Sequence, residues 1–284
     1  MPAYDYHRPT SLAEALKLKT DLPAARYIAG GTDVMVRVRE SRGRLPALIS
    51  LTSIPEMTGI ELGDTIRVGA LTKVNALTED EGLASSLPAL VRAAGGLGSI
   101  QIRNLATIAG NLCNASPCAD LAPPLLTLDA RLRIVGAEGA REVSLSDFFV
   151  APGETRLANE EIVTHVLIDR PPAGSRATFV KKGRVAMDIA IANLAVLLVT
   201  SGGKCSEARV AAGSLAPTPV RLKKTEAALS GRELTDEVLA RAGETAHAEV
   251  SPISDVRAGA EYRRALASAL LKRAVRALRE EAGA

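Results

Sequence analysis

The stretch Gln101-Ile-Arg-Asn-Leu-Ala-Thr-Ile-Ala-Gly-Asn111, continued by Leu112-Cys-Asn-Ala-Ser-Pro-Cys-Ala-Asp120, sets hydroxyls, amides, a glycine and a carboxylate among apolar residues with almost no charge. A surface loop would carry more charge, and a plain core segment fewer hydrogen-bonding groups. Buried polar groups without partners are costly. The mixture therefore predicts a buried loop wrapped round a polar ligand that supplies the missing partners.

Upstream, Tyr27-Ile-Ala-Gly-Gly-Thr-Asp-Val34 has the same texture. It reads as a short strand, Ala25 to Ile28, broken by two glycines and followed by a hydroxyl and a carboxylate. Gly30 and Gly31 can take φ > 0 and leave no side chain in the way, so successive amides can converge on an anion. A tight strand-to-helix turn is the competing reading of these residues. Two such segments in one chain favour a diphosphate clamp. Neither a Walker lysine nor a Rossmann fingerprint is present: Gly95-Gly96-x-Gly98 fails the required spacing and ends a helix instead of opening one.

At 284 residues, 47% apolar and 24% charged, the chain has the balance of an ordinary globular protein with room for two or three small domains. A net charge of +3 and an aromatic content of 2% give nucleic-acid binding little support. No apolar run reaches the roughly 18 residues of a membrane span, and no leader pattern stands at Met1, so the cytoplasm is the expected compartment. Cys113, Cys118 and Cys205 are too few for a disulfide framework or an iron–sulfur site, and read as small apolar residues. A metal pair completed by His7, His165 or His247 is the remote alternative.

Along the chain, Ser11-x-x-Glu14 is a capping box that opens a helix. Val34 to Val38 is helical turn or strand, and Ala47 to Leu51 a short strand. Ile60 to Leu71 signals a hairpin about Gly63-Asp64, and Leu87 to Ala94 a helix with Pro88 in its first turn. An apolar helix over Leu121 to Leu128, a strand from Arg131 to Val135, Leu145 to Phe149 and Ile162 to Ile168 follow. Pro171-Pro172-Ala-Gly-Ser175 is the clearest linker. Beyond it come a strand near Ala177 to Arg184, a helix or strand over Asp188 to Val199, and another strand at Glu207 to Ala212. A long amphipathic helix over about Gly259 to Glu281 closes the chain, with Leu266, Leu270, Ala274 and Leu278 on one side. Arg263, Lys272, Arg273, Arg276 and Arg279 decorate the rest as a solvated face, or else as a partner surface.

Ala29-Gly-Gly-Thr-Asp33 and Thr107-Ile-Ala-Gly-Asn111 resemble the paired pyrophosphate loops of the FAD-binding subunit of molybdenum hydroxylases, the family of carbon monoxide dehydrogenase medium subunits and the xanthine dehydrogenase flavin domain. The resemblance runs along nearly the whole chain. It implies an α+β fold: a PCMH-type, vanillyl-alcohol-oxidase-like FAD-binding domain in two subdomains, residues 1–58 and 59–172, and a small α+β C-terminal domain of the carbon monoxide dehydrogenase flavoprotein type, residues 177–284. It places Ala29, Gly30, Gly31, Thr32, Asp33, Thr107, Ile108, Ala109, Gly110 and Asn111 on FAD, with Asp33 holding its loop. Asp120 matches a carboxylate that reaches the cofactor, against a local role capping the Leu121 helix. Lys181 matches a lysine beside the flavin, against a surface pair with Lys182. Glu160-Glu161-Ile162-Val163 matches a segment whose backbone lies near the ring. Ala109 departs from the family's usual double glycine, so residue 109 must hold a negative φ.

The resemblance further implies an electron-transfer subunit of a heteromeric enzyme with no proton-transfer residue of its own. Its partners would be a large molybdopterin subunit and a small subunit with two [2Fe–2S] clusters, as a dimer of heterotrimers, delivering electrons to NAD, a quinone or ferredoxin. A stand-alone flavin reductase of the same fold and a flavin-free assembly subunit are the rivals.

Overall fold

The computed structural model describes residues 4–40 and 47–283. Three strands open the chain: β1 (Asp5–His7), β2 (Arg26–Ile28) and β3 (Ala47–Ser50) form a parallel sheet in the order β1-β3-β2. β3 is central and buried at every residue, as a parallel strand covered on both faces must be. Helix α1 (Leu12–Asp21) starts as the capping box requires, with Ser11 Oγ accepting from Glu14 N at 3.2 Å; the Glu14 carboxylate reaches back to Thr10 N at 2.8 Å. Val34–Glu40 is a helix, α2, which settles the choice between helix and strand there.

The hairpin is β4 (Ile60–Glu61) with β5 (Thr65–Gly69). Helices α3 (Val74–Glu79), α4 (Glu81–Ser86), α5 (Pro88–Gly95), α6 (Ile100–Arg103), α7 (Ile108–Cys113) and α8 (Ala122–Thr127) follow. The expected buried loop over 101–120 is thus interrupted by two short helices: Ser99 caps α6 and Thr107 caps α7. Both helices are too short to print an amphipathic period on the sequence. Strands β6 (Arg131–Gly136) and β7 (Gly139–Ser144), helix α9 (Leu145–Phe148), the short pair β8 (Phe149–Ala151) and β9 (Glu154–Thr155), and β10 (Ile162–Asp169) complete this part. β10 lies at the centre of an antiparallel sheet ordered β4-β5-β10-β6-β7, with a register shift between Val163 and His165.

After the proline linker, β11 (Ser175–Lys182), β12 (Ala192–Ser201), β13 (Lys204–Gly213) and β14 (Val220–Arg221) form an antiparallel meander. Asp188 to Val199 is therefore strand from Ala192 onward, apolar apart from Asn193 because both its faces are covered. Leu194, Val196 and Leu198 face a core shared with α10 (Lys223–Leu229), α11 (Asp236–Glu249) and α12 (Ala260–Gly283), while Ala195 and Leu197 join the core of the preceding part. The α12 stripe packs as expected, with Leu270, Ala274 and Leu278 buried. Arg263 is a correction: it is 3% exposed and bonded inward to Ile191 O, Ser214 O and Asp255. Its acceptors come from loops distant in sequence, so helical periodicity alone assigned it to solvent.

Candidate active site: a cofactor cleft

β2 ends in the turn Ala29 to Asp33, and this turn lies against the approach to α7. A Cβ added at Gly30 would overlap the Leu105 carbonyl, 2.6 Å from its carbon and 3.1 Å from the Ala106 Cα. Gly30 is glycine for that close backbone approach, whereas Gly31 is glycine for its φ of +72°. Together the two segments border a cleft of about 530 Å³, a volume suited to a cofactor. Ala29, Gly30, Gly31, Thr32, Asp33, Thr107, Ala109, Gly110, Asn111, Asp120, Val163 and Lys181 all line it. Ile108 does not: its side chain is fully buried in the core and its amide bonds Thr72 O at 3.1 Å.

The two segments differ in their amides. Among the described residues, Gly30, Gly31, Thr32 and Asp33 donate no backbone hydrogen bond. In the second segment Ala109 N reaches Ala70 O at 3.1 Å, Gly110 N reaches Thr107 Oγ1 at 3.1 Å and Asn111 N reaches Thr107 O at 3.0 Å. The expectation that Ala109, Gly110 and Asn111 offer amides to a diphosphate is corrected, because Ala70 O, the Thr107 cap and the first turn of α7 already use them. What this segment offers instead is the Asn111 side chain, whose Oδ1 is buried without a partner. Ala109 is helical and absent from the positive-φ residues, so its Cβ is accommodated.

The far end of the cleft is built from two domains. Lys181 on β11 places Nζ 2.5 Å from Asp120 Oδ2 and 3.1 Å from Gly96 O, and Asn193 on β12 donates to Asp120 Oδ1 at 2.7 Å. Asp120 does not cap α8, whose N-cap is Leu121 without a side-chain bond. Nor is Lys181 half of a surface pair with Lys182, since its side chain is 12% exposed. Burial pushes the Asp120 carboxyl above the usual carboxylate range, opposed by the Lys181 ammonium and the Asn193 amide. Asn193 was missed in the sequence; a lone amide in an otherwise apolar buried strand is the signal that would have found it. Lys19 was missed too. It is 3% exposed, borders the cleft, and donates to Pro23 O and Asn159 Oδ1, each at 3.0 Å, and to Ala25 O.

Val163 borders the cleft at the register shift of β10. Cys113 and Cys118 border it as well; burial pushes the Cys113 thiol up to about 12, which leaves it unreactive. The polar groups suit FAD: free N–H donors in a glycine turn, a buried acceptor without a partner at Asn111 Oδ1, and a carboxylate–ammonium pair.

Comparison with known proteins decides the family. The family described as the FAD binding domain in molybdopterin dehydrogenase matches residues 2–171, and the carbon monoxide dehydrogenase flavoprotein C-terminal domain matches residues 177–278. The chain belongs to the FAD-binding medium subunits of molybdenum hydroxylases. The xanthine dehydrogenase FAD-binding subunit of an Escherichia coli strain is 35% identical over 95% of this chain and 94% of its own length. The carbon monoxide dehydrogenase medium chain of Afipia carboxidovorans is 34% identical over 96% of each chain. In solved structures, carbon monoxide dehydrogenase from Hydrogenophaga pseudoflava superposes with a TM-score of 0.93 at 32% identity, over 97% of this chain and 96% of that one. This medium subunit is therefore an oxidoreductase subunit with an FAD-binding domain. Nothing in these likenesses favours a stand-alone reductase or a flavin-free scaffold.

Proposed function

We propose that this chain is the electron-transfer subunit of a heteromeric molybdenum hydroxylase, standing between the [2Fe–2S] clusters of a small subunit and an acceptor such as NAD, a quinone or ferredoxin. The observation that carries the reading is the convergence of two glycine-bearing segments on one cleft, with the amides of the first unspent. Gly30, Gly31 and Thr32 hold the diphosphate through their amides, the unpartnered Asn111 Oδ1 accepts from a hydroxyl of the cofactor, and Asp33 stands exposed at the rim. Val163, Asp120 and Lys181 flank the ring end. When bound, FAD supplies the exchange between single electrons and two-electron acceptors. The chain's own part is to bind and orient the cofactor and to set a fixed ammonium beside it.

In this reading the chain divides into residues 1–58, 59–172 and 177–284, supported by one larger sheet centred in each part. A large molybdopterin subunit, a small iron–sulfur subunit and a dimer of such heterotrimers, in the cytoplasm, complete the reading. Its support is the relatives' identity as medium chains and a set of exposed apolar residues near the cleft: Ile100 at 59%, Leu105 at 54%, Val185 at 70% and Met187 at 65%. Large apolar side chains left exposed in this way are candidates for contact surfaces.

The test is reconstitution. The full chain, stripped of flavin and titrated with FAD, is expected to develop the visible bands of bound flavin to a stoichiometric end point. Failure to take up flavin under any condition overturns the proposal in favour of an assembly subunit, and substrate turnover without partners overturns it in favour of a reductase.

A further inference from the structure

Ser214 is one of three described non-glycine residues with positive φ, at +62°, and is 6% exposed. A side chain in that region is strained and persists only where its surroundings hold it. Here they do, from both walls of the cleft. Ser214 N donates to Pro117 O at 2.6 Å, and Pro117 lies between Ser116 and Cys118, which line the cleft on the FAD-binding side. Ser214 Oγ donates to Ala190 O at 2.9 Å, and Ala190 follows Met187, Asp188 and Ile189, which line it on the C-terminal side.

Arg263 continues the clamp. One terminal nitrogen donates to Ile191 O at 2.7 Å and Ser214 O at 3.2 Å, and the other to Asp255 Oδ1 at 2.8 Å. Burial alone would raise the Asp255 carboxyl, but Arg257 N–H, the Arg263 guanidinium and Ala258 N–H hold it at about 2, so it stays ionised opposite Arg263. The neighbouring Gly213 leaves room for Asn193, whose Oδ1 a Cβ at 213 would overlap; Asn193 is the amide that holds Asp120.

We propose that Ser214 and Arg263 are positioning residues for the flavin ring: they hold the Met187–Ile189 segment of the C-terminal wall beside the Asp120–Lys181 end, and the Ser214 N–H bond to Pro117 O ties that wall to the opposite one. The inference rests on the reading that the cleft takes FAD with its ring at that end. Neither residue lines the cleft, so each acts through what it holds.

The test compares FAD with ADP, which shares the diphosphate end and lacks the ring. Wild-type full chain and the variants Ser214→Ala, Ser214→Gly and Arg263→Lys are stripped of flavin and titrated with each. Losing one such bond is expected to weaken FAD binding roughly tenfold, leave ADP binding unchanged, and move the visible bands of bound FAD toward those of free flavin. A lysine cannot span the three acceptors that the planar guanidinium reaches, so Arg263→Lys follows Ser214→Ala. Ser214→Gly removes the hydroxyl but relieves the backbone, so it should lose FAD affinity without losing thermal stability. Unchanged FAD affinity and bands in the Ser214 variants overturn the proposal, as does a parallel loss of FAD and ADP. If Arg263→Lys fails to fold, the Ser214 pair decides. A wild-type chain that binds no FAD sinks the proposed function instead.

Discussion

At Gly30 to Asp33 the chain leaves its amides unspent beside a cleft; at Ala109 to Asn111 every amide is used, that of Ala109 by Ala70 O and the other two by the Thr107 cap and the first turn of α7. The two segments have the same texture of glycine, hydroxyl and apolar residues, yet one leaves its amides free at the cleft and the other spends them on the protein's own groups. The difference lies in what precedes each. Thr107 is an N-cap whose hydroxyl takes Gly110 N, so α7 closes on itself. Gly30 is pinned by the backbone of Leu105 and Ala106 and Gly31 turns left-handed, so the amides between β2 and α2 have no turn to close. A glycine in a phosphate-like motif therefore signals either open amides or close packing, and only the neighbouring backbone says which.

Four substitutions break or sharpen this contrast. The largest effect is expected for Asp120→Ala, at the end of the self-supporting stretch. Stranding the Lys181 ammonium, 12% exposed, should cost about 3–5 kcal/mol, read as a fall in the denaturation midpoint of the flavin-free chain. No change without flavin would mean that this stretch serves the ligand after all. Gly30→Ala comes next: the new Cβ meets Leu105 backbone, which cannot rotate away, so a loss of about 2–3 kcal/mol is expected together with loss of bound flavin. Retention of full flavin content would remove the first turn as the diphosphate cradle.

Thr107→Ala removes a helix cap and should lower stability by about 1 kcal/mol, with FAD affinity falling no more than about threefold. A much larger affinity loss would show that the amides of α7 do meet the ligand. Smallest is Ala109→Gly, which restores the family's double glycine. In a helix this costs about 0.5–1 kcal/mol, and calorimetry should find FAD binding unchanged, since the Ala109 amide is held by Ala70 O at 3.1 Å.

Where the signal was local, the sequence was legible. Ser11-x-x-Glu14, Pro88 and Gly63-Asp64 announced a helix start, a first turn and a hairpin, because caps and turns are satisfied within a few residues. The two glycine segments were legible as partners by resemblance, and the structure brings them to one cleft. Reading 101–120 as one loop missed α6 and α7 because they span four and six residues, less than two turns, and rely on caps and tertiary contacts. Arg263 and Lys19 were illegible for a different reason. Both sit on helices at positions that look solvated, and their acceptors lie on chain segments that only folding brings near.

By itself, the sequence determined the family, several of the elements and the pair of turns that could meet a dinucleotide, since these rest on local chemistry repeated along the chain. Tertiary structure alone decided which amides stay open, that Ile108 turns into the core, and that Asp120, Lys181 and Asn193 form one group across two domains. A hydrogen-bonding group has several candidate partners until packing excludes all but one, and that exclusion is a property of the assembled sheets and helices, not of any single stretch.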